Sequence, residues 1–140
     1  MPTYQEIAKM IDHSLLNPTL TDADIIAGCK LADEYQVASV CVQPSDVILA
    51  RSILKESEVL VTSVIGFPHG TTTTLTKVTE AQEAIENGCA ELDVVINIGK
   101  MRSREYEYVK KDIGAIIGIA HAQQVKVKVI FENIYLTKEE

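Results

Sequence analysis

Apolar residues along the chain alternate between a spacing typical of strands and a spacing typical of helices. Short apolar runs predict strands over 11–15, 38–42, 59–65, 91–97 and 127–132. Between them, apolar residues recurring every three to four positions predict helices over 3–10, 21–35, 44–55, 74–86 and 103–123. A further helical turn is predicted at 136–140, with Thr137 as its N-cap. The alternation indicates an α/β fold with a parallel sheet.

Two α/β architectures fit this alternation, a nucleotide-binding Rossmann fold and an eight-stranded (β/α) barrel. No Gly-x-Gly-x-x-Gly or Gly-x-x-x-x-Gly-Lys-Ser/Thr loop follows a predicted strand, which argues against the Rossmann fold. In a barrel of the TIM type, functional residues gather at the carboxyl ends of the strands, and the whole barrel typically takes ~250 residues. The 140 residues are therefore expected to form a single, partial TIM-barrel domain over 1–140, with about five of the eight strands.

Composition narrows the possible partners. The net charge of −7 argues against nucleic acid, because phosphate binding needs clustered Lys and Arg. No apolar run approaches the ~20 residues that span a bilayer, so no membrane partner is expected. The first residues lack the basic and apolar regions of a signal peptide, which predicts a cytoplasmic protein. The three cysteines and three histidines show no metal-binding spacing, which predicts no metal site.

Charged residues interrupt two of the predicted strands. Successive strand residues point to opposite faces, so Asp93 shares a face with Glu91, whereas Leu92 lies on the other face. The same alternation places Lys128 on the polar face of the fifth strand. We expect Asp93 and Lys128 to lie on neighbouring strands and to face the barrel interior, with Asp12 of the first strand as a third candidate for that space.

This pattern leaves two interpretations open. The charges could form a structural ion-pair network, or they could be a catalytic group in which mutual pKa shifts support acid–base or amine chemistry. Cys41, at the end of the second strand, could line a pocket or be a small core thiol. Asn17 could contact substrate or form a turn before Pro18. Residues 110–112 are predicted to be a solvated helix face.

Several segments together resemble the deoxyribose-phosphate aldolase family. They are residues 11–18 (IDHSLLNP), 39–45 (SVCVQPS), 64–70 (VIGFPHG), 91–99 (ELDVVINIG) and 128–132 (KVIFE), the last of which is followed by Leu136 and Thr137. The segments occur in the family's order and cover essentially the whole chain, which makes the resemblance far more specific than one short motif.

The resemblance implies a TIM barrel and a class I aldolase that needs no metal or other cofactor. A lysine forms a Schiff base with acetaldehyde, the enamine attacks glyceraldehyde 3-phosphate, and 2-deoxyribose 5-phosphate results. In the cell the reverse reaction would degrade deoxynucleosides. Asp93 matches the family's catalytic aspartate, which takes part in proton relay, and Asp12 matches a second active-site aspartate. Cys41 matches a cysteine that lines the pocket, while Asn17 stands where many relatives have lysine.

The family's Schiff-base lysine lies on the sixth strand, and no matching segment occurs in the 140 residues. The seventh-strand lysine and the late Gly-rich phosphate loops are also unmatched. We therefore expect a family fragment that retains Asp93 and Asp12, with Cys41, Asn17 and Lys128 at the substrate pocket. Its exposed edges favour self-association or pairing with a complementary barrel fragment. The alternatives are a non-catalytic oligomeric or interaction module, and catalysis with Lys128 as nucleophile.

Overall fold

The computed structural model describes residues 1–140 and contains one parallel sheet of five strands. The strands are Asp12–Leu15 (β1), Ser39–Val42 (β2), Leu60–Ile65 (β3), Glu91–Val95 (β4) and Lys126–Ile130 (β5). Consecutive strands are hydrogen-bonded to each other, so the strand order is β1-β2-β3-β4-β5, with β1 and β5 at the edges. Strand order that follows the sequence is the order of a (β/α) barrel, whereas a doubly wound sheet reverses its order at a switch point.

Helices occupy most of the connections between strands. They are Tyr4–Ala8 (α1), Asp22–Tyr35 (α2), Val47–Ile53 (α3), Thr74–Glu86 (α4), Ile98–Arg102 (α5) and Tyr106–Ala122 (α6), with 3₁₀ turns at Pro44–Asp46 and Asn133–Tyr135. The predicted start of α2 is confirmed, because the Thr21 hydroxyl accepts a hydrogen bond from the Asp24 N–H in a capping box. None of these helices combines the length and apolar character needed to cross a membrane.

The prediction of one helix over 103–123 is wrong at its start. The side chain of Asn97 caps a separate short helix, α5, by accepting a hydrogen bond from the Lys100 N–H. Arg104 then adopts a left-handed backbone conformation with φ of 59°, which ends α5 before α6 begins. The asparagine that closes the predicted strand is thus also a helix N-cap, a double role that apolar spacing does not reveal.

The fifth strand is also shifted from its predicted bounds. It begins at Lys126 and ends at Ile130, so Phe131 and Glu132 lie beyond it. Glu132 has a left-handed backbone with φ of 51°, which breaks the extended conformation. Phe131 lies within the predicted strand, but it is 61% exposed. An apolar residue next to a strand therefore extended the predicted element past its real end.

The hydrophobic core lies between the helices and one face of the sheet, which we call the outer face. The alternate residues Leu92, Val94 and Ile96 are fully buried in this core, as strand alternation predicted. Each side chain of this size stabilises the fold by roughly 1.5–3 kcal/mol when it is fully buried. Burial of these three residues fixes the register of β4, because a slip by one residue would turn Asp93 towards the helices.

Two helical glycines predict opposite effects of the same substitution. A Cβ at Gly28 would lie 2.6 Å from both methyl carbons of Leu15, which is buried in the core. A Cβ at Gly114 would meet nothing within 4 Å. We expect Gly114→Ala to raise the free energy of unfolding by about 0.5–1 kcal/mol. Gly28→Ala should lower it, because overpacking costs about 1–3 kcal/mol and exceeds the gain in helix propensity.

Urea unfolding followed by circular dichroism measures both changes. Gly118→Ala is the matched control, since Gly118 lies in the same helix as Gly114 and is equally open. Equal effects at Gly28 and Gly114 would contradict the packing of Leu15 against α2.

Candidate active site

The sheet face opposite the core, which we call the inner face, carries a group of polar side chains. Asp12 lies opposite Ser39 in the register of β1 with β2, and Asp93 lies opposite Lys128 in the register of β4 with β5. Cys41 belongs to the same face, because its neighbours in β2 point into the core. The placement of Asp93 beside Lys128, which strand alternation predicted, is therefore present in the structure.

Lys128 connects the two edges of the sheet. Its Nζ lies 2.6 Å from Asp12 Oδ2 and 3.0 Å from Asp93 Oδ1. Asp12 is on β1 and Lys128 is on β5, and three strands separate them. A side-chain contact across the whole sheet requires strong curvature, with the inner face on the concave side. The sheet is thus bent like the wall of a barrel, and the cluster of Asp12, Asp93 and Lys128 occupies its interior.

The two carboxylate oxygens of Asp93 have different surroundings. Oδ2 accepts a hydrogen bond from the Cys41 thiol, with 3.6 Å between Sγ and Oδ2. Oδ1 is buried, and its polar partner is the Lys128 ammonium, with 3.0 Å between Nζ and Oδ1. Burial raises the pKa of Asp93 above its ordinary value, and the contacts with Lys128 and Cys41 only partly oppose this. Oδ1 therefore lies beside an ammonium group, in surroundings that favour the protonated form of its carboxyl.

Asp12 and Lys128 stabilise each other's charged forms. Burial acts to raise the pKa of Asp12, but hydrogen bonds from Lys128 and Ser39 outweigh it and lower the pKa. Burial acts to lower the pKa of Lys128, but the hydrogen bonds and charges of Asp12 and Asp93 outweigh it and raise the pKa. Lys128 is therefore an ammonium ion at neutral pH, which opposes its use as an amine nucleophile.

Glu91 is a further member of this cluster that the sequence analysis assigned to the inner face without a role. Its carboxylate lies 3.6 Å from Lys128 Nζ and 3.2 Å from Lys126 Nζ. Three carboxylates thus face two ammonium groups, and the cluster carries net negative charge. The period-two pattern of β4 contained the signal, because Glu91 and Asp93 have the same parity.

Cys41 lies inside the inner face and is 2% exposed. Burial raises the pKa of its thiol to about 11, so the group is protonated at neutral pH. Its position beside Asp93 agrees with a residue that borders the interior.

Asn17 is separate from this cluster. It is exposed, and its side-chain oxygen accepts hydrogen bonds from the N–H and the hydroxyl of Thr19. This is a turn conformation in which the asparagine side chain replaces a backbone acceptor. The turn-forming alternative for Asn17 therefore accounts for every contact of its side chain, and its substrate-pocket role stays a prediction.

The prediction that 110–112 is a solvated helix face is wrong for Asp112. Asp112 and Lys77 are both fully buried and form an ion pair of 2.6 Å between α6 and α4. Lys77 Nζ also donates to the Val95 carbonyl at 2.9 Å, at the end of β4. The sequence signal was weak, because Lys77 shares a helix stripe with Ala81 and Ala84 and breaks an otherwise apolar face. This pair ties two helices to the strand that carries Asp93.

The loop after β3 reaches the end of the same strand. The Gly66 N–H donates to Glu80 at 2.7 Å, and Gly70 has a left-handed backbone with φ of 65°. A Cβ at Gly70 would lie 1.8 Å from the Ile96 carbonyl oxygen, so only glycine permits this approach. The glycines of this segment therefore pack the loop against the chain that leaves β4.

The structure contains no group of three or more His, Cys, Asp or Glu side chains arranged to hold a metal ion. The carboxylates of the inner face contact ammonium groups and hydroxyl or thiol donors instead. The expected absence of a metal and of other cofactors stays a prediction.

Three buried thiols predict a loss of stability at alkaline pH. Burial raises the pKa of Cys29 and Cys41 to about 11, and that of Cys89 to about 12, from 9.0. The folded protein holds these protons more tightly than the unfolded chain. The contribution of the thiols to the free energy of unfolding is therefore complete below pH 9.0 and is lost as pH rises. We expect the free energy of unfolding to fall by about 1.4 kcal/mol per pH unit for each thiol above that point.

Urea unfolding in reducing buffer from about pH 7 to about pH 10 measures this slope. Lys128 acts in the same direction, since its raised pKa means stability that is lost only in the alkaline range. At acid pH, Asp12 and Asp93 oppose each other, because one pKa is lowered and the other is raised. Cys29→Ala should remove about a third of the thiol contribution to the slope. A flat alkaline profile would contradict the prediction.

Comparison with known proteins identifies the family. The model of the DeoC/LacD family aldolases matches residues 6–140. A deoxyribose-phosphate aldolase of Thermococcus kodakarensis is 51% identical over 138 residues, which are 97% of this chain and 62% of that protein. A deoxyribose-phosphate aldolase of Rhodopirellula baltica is 48% identical over 136 residues, which are 97% of this chain and 56% of that protein.

A solved structure agrees in fold. The deoxyribose phosphate aldolase of Aeropyrum pernix, described as a tetramer, superposes with a TM-score of 0.90 at 29% identity. The superposition covers 98% of this chain and 57% of that one. The chain thus spans about 60% of the length of the curated relatives it matches. The chain belongs to the DeoC/LacD family of aldolases, and its five strands are those of a TIM-barrel aldolase.

Proposed function

We propose that this chain supplies the proton-transfer side of a 2-deoxyribose-5-phosphate aldolase. In this reaction the sugar aldehyde carbon forms a Schiff base with a lysine amine. The bond between C2 and C3 then breaks, the C3 hydroxyl loses its proton, and the enamine takes up a proton at C2. Hydrolysis releases acetaldehyde, and the other product is glyceraldehyde 3-phosphate. The cellular role is degradation of deoxynucleosides.

The buried oxygen Asp93 Oδ1 is the observation that carries this proposal. It lies on the concave face of the sheet, 3.0 Å from the Lys128 ammonium, and burial raises the pKa of its carboxyl. A carboxyl with a raised pKa beside a proton donor is suited to take up and return a proton during a reaction. Asp12 keeps Lys128 charged and oriented, and Lys128 in turn contacts Asp93 Oδ1.

The Schiff-base amine is proposed to come from a complementary part of the barrel. Among the lysines of the inner face, Lys128 is held as an ammonium ion, and Lys126 is 77% exposed at its side chain and paired with Glu91. Lys77 is buried on the helix side of the sheet. The relatives are longer than the matched region, which leaves length for the amine and for the phosphate-binding loops.

The substrate proposed for this site is a small phosphorylated sugar. The half-buried interior beside Lys128 and Asp93 offers charged groups to its hydroxyls. Cys41 is proposed to border the reacting carbons, and Asn17 to lie at the rim of the pocket beyond β1.

Complementation tests the proposal. The chain is mixed with the part of the Thermococcus kodakarensis aldolase that follows the matched region, and cleavage of 2-deoxyribose 5-phosphate is measured. We expect activity in the mixture and none in either part alone. Borohydride trapping with acetaldehyde, followed by peptide mass spectrometry, should place the adduct on the added segment. The cleavage rate is also measured for two variants of the chain. Lys128→Met changes the site, whereas Glu83→Gln changes an exposed residue of α4.

Each outcome separates the hypotheses. An adduct on Lys128 in the chain alone would overturn the proposal and favour Lys128 as nucleophile. An inactive mixture in which the two parts nevertheless bind would overturn the proton-transfer role.

A non-catalytic oligomeric module is the second candidate function. It is favoured by exposed apolar side chains just after β5, where Phe131, Ile134 and Tyr135 are 61%, 79% and 59% exposed. Exposed sheet edges and apolar patches promote association. The Aeropyrum pernix aldolase is described as a tetramer, and self-association is proposed for this chain too. Sedimentation equilibrium of the chain with and without the complementary segment distinguishes stable self-association from pairing between unlike parts.

A cytoplasmic location is proposed on the state of the thiols. All three cysteines are free and buried in the fold. Free thiols of this kind accord with a reducing compartment. Alkylation of the denatured protein isolated from cells, with and without prior reduction, tests this: disulfides in the native protein would contradict it.

A further inference from the structure

Cys41 contacts Asp93 across an intervening strand. The thiol is on β2 and the carboxylate is on β4, with β3 between them. The Sγ to Oδ2 distance of 3.6 Å is within the range of a hydrogen bond to sulfur. The contact exists because the sheet is curved, since side chains on the concave face of a curved sheet converge. Cys41 is 2% exposed, so water does not replace this donor.

The thiol acts only as a donor in this contact. At neutral pH it keeps its proton, because burial raises its pKa to about 11 and the Asp93 charge acts in the same direction. A protonated thiol is a poor nucleophile and a poor metal ligand. Its one proton is directed at Asp93 Oδ2, while Oδ1 lies 3.0 Å from the Lys128 ammonium. The two oxygens of one carboxylate are thereby made unequal.

We propose that Cys41 is a positioning residue that holds Asp93 by Oδ2 and so makes Oδ1 the proton-accepting atom of the site. The thiol fixes the rotation of the carboxylate, and Oδ1 faces Lys128. The inference goes beyond a thiol that merely lines the pocket. It rests on the proposed proton-transfer role of Asp93 for its functional meaning, but the hydrogen bond itself is testable without catalysis.

Titration of Asp93 in variants at position 41 tests the inference. The chain is labelled with ¹³C at the aspartate carboxyl carbons, and Asp93→Asn identifies the resonance. A donor to the carboxylate favours its charged form, so removing the donor raises the pKa of Asp93. Cys41→Val keeps an apolar group of similar size and removes the donor, so it should shift the titration upward. Cys41→Ser provides a stronger donor and should shift it downward.

The order of the Asp93 pKa values with serine, cysteine or valine at position 41 distinguishes a positioning role from simple packing. If Cys41 only fills space, Cys41→Val should leave the pKa of Asp93 unchanged. Cys41→Ser should then change that pKa no differently from Cys41→Ala, which also makes the side chain smaller. Cys29→Ala is the matched control, because Cys29 is a buried thiol of the core with no hydrogen bond to Asp93. Urea midpoints show that each variant is folded at the pH of measurement.

Other charged groups around Asp93 must be unchanged for this comparison. They are Lys128 on β5, Asp12 on β1, and Glu91 on the same strand. The Asp12 resonance serves as an internal reference, and a parallel shift of both aspartates would indicate a displaced Lys128. Identical Asp93 titrations in the wild-type, valine and serine proteins would overturn the inference. Because this readout needs no activity, that failure differs from failed complementation, which concerns the proposed function alone.

Discussion

Asp112→Leu is expected to lower the free energy of unfolding by about 3–5 kcal/mol. The substitution leaves the Lys77 ammonium fully buried, with the Val95 carbonyl as its remaining hydrogen-bond partner. A buried charge without a counter-charge is very costly, whereas the intact pair at 2.6 Å offsets most of its desolvation. Thr74 also loses its acceptor, because its hydroxyl donates to Asp112 Oδ1. Urea unfolding followed by circular dichroism measures the loss.

Two further variants show whether charge is the cause. Lys111→Ala changes the neighbouring exposed residue of α6 and should stay within about 0.5 kcal/mol of the wild type. The double variant Lys77→Met/Asp112→Leu removes both charges and should recover much of the loss, because apolar residues of similar volume often replace a buried pair. If Asp112→Leu alone costs less than about 1 kcal/mol, the pair does not have the expected role.

Asp93→Asn is expected to lower the activity of the complemented enzyme by about 10²- to 10⁴-fold, the typical contribution of a general acid–base group. The substitution keeps the size of the side chain and its contact with the Cys41 thiol, but the amide cannot take up a proton near neutral pH. The rate of 2-deoxyribose 5-phosphate cleavage at saturating segment concentration measures the effect. The loss should appear in kcat rather than in binding of the complementary segment.

The control for this prediction is Glu83→Gln, which changes an exposed carboxylate on the helix side of the sheet. It should leave the rate unchanged, since it touches neither the inner face nor the strands. Activity of Asp93→Asn within fivefold of the wild type would assign the proton transfer to another group, and Asp12 would be the next candidate.

Much of the inner face could be predicted from strand alternation. Once β4 and β5 are neighbours, Asp93 and Lys128 must share a face, because successive residues of a strand point in opposite directions. Leu92 and Val94 point to the other face for the same reason, and the structure buries both of them. The family motifs added the proposed proton-transfer role of Asp93.

Helix boundaries and the ends of β5 were harder to predict. Apolar spacing does not show that Asn97 caps a new helix or that Arg104 and Glu132 adopt left-handed conformations. Asp112 was assigned to the solvent because two exposed lysines precede it, yet its partner Lys77 is 35 residues away. A pair so distant in sequence leaves only a weak local pattern, the break that Lys77 makes in the apolar face of α4.

The sequence by itself determined which residues share a face of each strand, and it placed Asp93 beside Lys128 once β4 and β5 are neighbours, because these features depend on local periodicity. Only the tertiary structure brought Lys128 to Asp12 and Cys41 to Asp93. Both contacts cross strands that are not neighbours, so they depend on how strongly the sheet curves. That curvature results from the packing of all five strands and their helices together, and no single segment encodes it.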